Sequence, residues 1–70
     1  MARTTHQRIA TLTSLVAKRN EAIARTRDQS ASEQSQSRRT VLLRILPMLV
    51  EDRDIHQYAL ESLCADEVAA

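Results

Sequence analysis

Apolar side chains crowd into one stretch of this chain. Residues 41–50 read VLLRILPMLV, and only Arg44 and Pro47 interrupt the large hydrophobic groups. Wound into a helix at about 100° per residue, these side chains spread over an arc of about 220°, whereas a surface helix needs little more than about 100°. The segment therefore predicts a helix covered on more than one side. Leu42, Ile45, Leu46 and Leu49 sit well inside that arc and are the expected contact between two copies of the chain.

The segment before it is sparser. Ile9, Leu12, Leu15, Val16 and Ile23 recur at helical spacing and form a stripe about 120° wide, as in an ordinary amphipathic helix. Thr4-Thr5-His6-Gln7 fits a capping box, in which the threonine hydroxyl takes an N–H of the first turn and the glutamine reaches back to the cap. A helix over about 5–27 is predicted from it. Ala10, Ala17, Ala22 and Ala24 flank the stripe and permit close approach of a neighbour. Arg19 interrupts the stripe; it is expected to extend its charge from the edge or to pair with an acid on the neighbouring helix.

Asp28-Gln29-Ser30 is the best break in the helical pattern, and Ser30-Ala31-Ser32-Glu33 offers a second capping box there. A second helix over about 31–50 follows, its first half solvated; the Ser- and Gln-rich run 30–40 also reads as a loop. Pro47 removes a hydrogen bond inside that helix and crowds the carbonyl four residues back, so the helix is expected to kink or break there. Beyond it, Asp52 or Asp54 can cap a third helix over about 54–66, with Gln57 placed to assist Asp54. Ile55, Ala59, Leu60 and Leu63 fall on one side of it. Asp66 and Glu67 oppose the helix dipole, so the last turn is expected to fray and the tail 68–70 to be loose.

These elements predict an all-α fold. Its architecture is a helical hairpin whose second arm is kinked or broken at Pro47, giving two or three helices, paired with a second copy into a dimeric bundle. Composition agrees: the 70 residues include no Gly and one Pro, which suits helices and withholds the turn signals of strands. The expected organisation is a single small domain, 1–70, whose limited core gains from association. One cysteine excludes an internal disulfide. No apolar leader marks the N-terminus, and the apolar run at 41–50 is too short to cross a bilayer. A cytoplasmic protein with no membrane partner is expected.

The net charge of +1 conceals an asymmetry: residues 1–40 hold eight basic groups against three acidic ones, and residues 41–70 hold two against six. Basic and acidic helices lying side by side would compensate each other; alternatively, the basic half marks a surface for an acidic partner. A chain reversal at 28–30 would bring Arg25, Arg27, Arg38 and Arg39 to one end of the hairpin. Guanidinium groups grip carboxylate or phosphate through paired N–H donors. Asp28 and Glu33 lie among them and weaken the field, Phe and Trp are absent, and no helix-turn-helix pattern is evident. These four arginines are the candidate partner-binding residues, for an acidic patch on a larger protein or, alternatively, for nucleic acid.

Catalytic chemistry finds little footing. His56 and Cys64 are separated by about 12 Å along a helix, too far for a Cys–His nucleophile pair. Two histidines and one cysteine show no metal-ligand spacing, and no cofactor motif is present. His56 is expected at the core edge and Cys64 as a small buried thiol. The expected function is non-enzymatic: a small regulatory or adaptor protein that binds a larger protein stoichiometrically, for instance as an inhibitor of host or cellular machinery. The alternative is a small dimeric nucleic-acid-binding protein using the arginine surface.

Overall fold

The computed structural model describes residues 4–69. They form two helices, α1 over Thr5–Ser32 and α2 over Gln36–Ala69, joined by a short link. The helices pack as a hairpin, with no strand among the described residues. The molecule is a rod of 52 × 19 × 17 Å. A helix of 34 residues rises about 51 Å, so α2 runs its whole length.

α1 begins as the sequence predicts. Gln7 N–H donates to Thr4 Oγ1 at 3.1 Å, and Thr4 N–H donates to Gln7 Oε1 at 2.9 Å. Each interaction occupies a backbone donor that has no partner inside the helix. The other end differs from expectation. The reversal does not occur at 28–30, because α1 continues to Ser32. Ser30 Oγ donates back to the Arg27 carbonyl and Ser32 Oγ to that of Asp28, at 2.9 and 3.0 Å. Serine hydroxyls that satisfy carbonyls of the preceding turn extend the helix rather than cap a new one.

The chain instead turns at 33–35. Glu33 is extended, with φ −74° and ψ 124°. Ser35 opens α2: its Oγ accepts from Arg38 N–H at 3.5 Å, its carbonyl accepts from Arg39 N–H at 2.9 Å, and its own N–H donates to the Glu33 carboxylate at 3.1 Å. Arg39 closes the link by donating Nε and Nη2 to the Glu33 carbonyl, placing a cation at the carbonyl end of α1.

α2 passes through Pro47 unbroken, and the third helix expected at 54–66 is its C-terminal part. The proline lies on the exposed side. The carbonyl deprived of a donor is that of Leu43, itself half-exposed, where water can replace the missing N–H. A helix tolerates the loss better on its solvent side, where the backbone already leans outward. The helix also continues past Asp66 and Glu67 to Ala69; Ala70, the end of the tail expected to be loose, lies outside the described residues.

Three cross-hairpin contacts set the register. Arg19 Nε meets Asp52 Oδ2, Arg53 Nη1 donates to Asn20 Oδ1 at 3.1 Å, and His6 Nε2 lies 3.1 Å from Glu67 Oε1. In this register Ile9 is level with Leu63, Leu12 with Leu60, Ile23 with Leu49 and Thr26 with Leu46. Only Val16, Ile23 and Thr26 are buried among the described residues. Thr26 satisfies its hydroxyl by donating to the Ala22 carbonyl at 2.7 Å. A polar belt of Arg19, Asn20, Asp52, Arg53 and His56 crosses the middle of the seam and divides its apolar contacts into two blocks.

Candidate functional site

The four candidate arginines fall near the turn, but not as one patch. Arg25 and Arg27 are exposed on α1, and a two-residue spacing puts them about 160° apart around the helix. Arg38 and Arg39 are exposed in the first turns of α2. Arg39 is engaged with the Glu33 carbonyl and serves the turn. The side chains of Arg25, Arg27 and Arg38 form no hydrogen bond or ion pair among the described residues. An open groove at this end is lined by Gln29, Ser32, Glu33, Gln34, Ser37, Arg38, Val41 and Leu42. The lining thus sets the Glu33 carboxyl group and the Arg38 guanidinium among neutral polar and apolar side chains.

Charge compensation between the helices operates in the middle, through Arg19–Asp52. It fails at the turn. There Arg25, Arg27, Arg38, Arg39 and Arg44 face only Asp28 and Glu33. The rod is thus positive at the turn and carries its acidic surplus, Glu51, Glu61, Asp66 and Glu67, towards the other end, where Asp54 is paired with Arg53.

The residues expected between two copies divide. Leu42, Leu46 and Leu49 are half-buried and Ile45 is exposed. The register puts the three leucines level with Ser30, Thr26 and Ile23, so they belong to the seam inside the hairpin. The wide apolar arc is nevertheless not covered by α1. Among the described residues, every large hydrophobic side chain that remains exposed lies on α2: Val41, Leu43, Ile45, Met48, Ile55, Tyr58 and Val68. A second shallow groove, lined by Pro47, Val50, Glu51, Asp54, Ile55 and Tyr58, follows the outer side of the same helix. Sequence periodicity signals the excess of apolar surface but not which part of it α1 takes; that depends on the register set by the polar belt.

His56 is half-buried, with Nδ1 2.7 Å from the Asp52 carbonyl and 3.7 Å from its carboxylate. It sits at the edge of the seam, as expected. Cys64 is exposed rather than buried: α1 covers the side of α2 that bears Leu60 and Leu63, and Cys64 turns away from it. Among the described residues no three of His, Cys, Asp or Glu gather in a group that could hold a metal ion. No described helix is long and apolar enough to cross a membrane. Set against known proteins, the chain matches no family model, no curated protein and no solved structure.

Proposed function

We propose that this protein works by stoichiometric binding, as a small regulatory or adaptor protein that docks its turn on an acidic patch of a larger protein. Inhibition of the target falls within this reading. The observation that carries it is the turn end itself: Arg25, Arg27 and Arg38 are exposed there with no side-chain hydrogen bond or ion pair among the described residues, and Arg38 lines an open groove. Arg25, Arg27 and Arg38 are the contacting groups, and Arg39 holds the link in shape. Charge of this kind speeds encounter with an acidic surface, and an arginine that becomes buried against a carboxylate slows dissociation. The reading includes self-association, because the hydrophobic flank of α2 has no cover within one chain.

The test compares the wild type with an Arg25→Ala/Arg27→Ala/Arg38→Ala variant that keeps Arg39. The variant is expected to retain its helical circular dichroism and to lose at least tenfold in affinity for a fluorescent Glu- and Asp-rich peptide and for proteins captured from the source cell. Equal affinity for the two proteins rejects the arginine end as the docking site. Tight binding of the wild type to duplex DNA or RNA, weakening steeply with salt and lost in the variant, promotes the nucleic-acid reading instead.

A further inference from the structure

Four of the exposed hydrophobic side chains form a single row. Val41, Ile45, Met48 and Ile55 follow one another at helical spacing along α2, and they are 55, 39, 69 and 62% exposed. A row of this kind matches the seam of a helix pair. Asp52 interrupts it, with its charge already held by Arg19. Arg44 and Glu51 border the row on one edge, on either side of Met48. Neither takes part in an ion pair among the described residues.

The surface area points the same way. The chain exposes 5512 Å², whereas a compact monomer of this size exposes about 4,400 Å². The excess of about 1,100 Å² is comparable with the ~800 Å² that each partner contributes to an interface of standard size.

We infer that the occupant of this row is a second copy of the chain, with the two α2 helices antiparallel and the twofold axis passing beside Met48. In that arrangement Val41 lies level with Ile55 of the second copy, and Met48 meets Met48. Arg44 lies level with Glu51 of the second copy, and the axis repeats the pair. Same-edge residues face each other when two identical helices run antiparallel, so the single Arg44–Glu51 edge is self-complementary. The long-range charge agrees, because each positive turn lies beside the acidic half of the other α2. A parallel pairing would set turn against turn and Arg44 against Arg44. This pairing rests on the self-association within the proposed function and specifies its geometry.

The test uses the full chain with Cys64→Ser and one or two added cysteines. Under mild oxidation Met48→Cys is expected to link to itself, and Val41→Cys/Ile55→Cys to link between copies. Val41→Cys alone is expected not to link, because its two copies stand about 21 Å apart. In the unlinked protein, Arg44→Glu is expected to weaken dimerisation about tenfold, since the axis doubles a modest rim pair. Combining it with Glu51→Arg should restore the wild-type affinity. Self-linkage of Val41→Cys shows parallel pairing and overturns the antiparallel geometry alone. A wild type that stays monomeric at hundreds of micromolar, with no variant linking, overturns the dimer itself and leaves the arginine docking reading to its own test.

Discussion

Ile23 is the most enclosed side chain of the hairpin, at 3% exposure, and Val16 follows at 8%. Few other groups can offset the loss of either. Ile23→Ala should cost about 2–5 kcal/mol, measured as a lower urea midpoint with an unchanged slope; a cost below about 1 kcal/mol would show that the seam does not carry the fold. Both positions are legible from spacing alone, since they lie on the apolar stripe of α1. Thr26 is not legible in that way, because its burial depends on its hydroxyl finding the Ala22 carbonyl. The pairing of Arg19 follows from an arginine set within an apolar stripe, although only the register names Asp52 as its partner. Cys64 is misplaced by sequence reasoning because a wheel shows neighbouring angles, not which of them the other helix covers.

At the scale of the element, the sequence separates two helices but misplaces the turn between them. Ser30-x-x-Glu33 has the form of a capping box, yet Ser30 bonds backwards to Arg27. The cap in use, Ser35, lacks an acid at its third helical position, which Arg38 occupies. No Gly marks the end of α1, and Glu33 leaves the helix through an ordinary extended conformation, so a usual stop signal is missing. For a related reason Pro47 does not break α2: a proline breaks a helix when no environment accepts the lost bond, and here the residue lies on the exposed side, where water can. The cost nevertheless remains. Pro47→Ala restores a donor to the Leu43 carbonyl and should stabilise the hairpin, by up to about 3 kcal/mol, read as a higher midpoint in thermal or urea unfolding. Unchanged or lower stability would mean that the hydrogen bond missing at Pro47 costs the hairpin nothing.

At the scale of the whole molecule, the hairpin is a thin rod. Its radius of gyration is 15.9 Å, against about 11 Å for a compact chain of this length. Two helices cannot enclose the apolar arc of α2. The proposed antiparallel pairing would cover it and set each positive turn beside the acidic half of the other α2. The width of the arc is already legible in residues 41–50, and so is the expectation of a second neighbour. The face that neighbour takes is not, because α1 claims Leu42, Leu46 and Leu49 and leaves the row through Met48 outside.

Sedimentation equilibrium of the wild type beside Met48→Asp tests this account most directly. Met48 is 69% exposed within the chain, so an aspartate there leaves the hairpin's own seam intact while placing two carboxylates together on the proposed axis. The wild type is expected to have the mass of a dimer at micromolar concentration, and the variant the mass of a monomer with an unchanged helical spectrum. A wild type that sediments as a monomer throughout, or a variant that remains dimeric, contradicts that expectation.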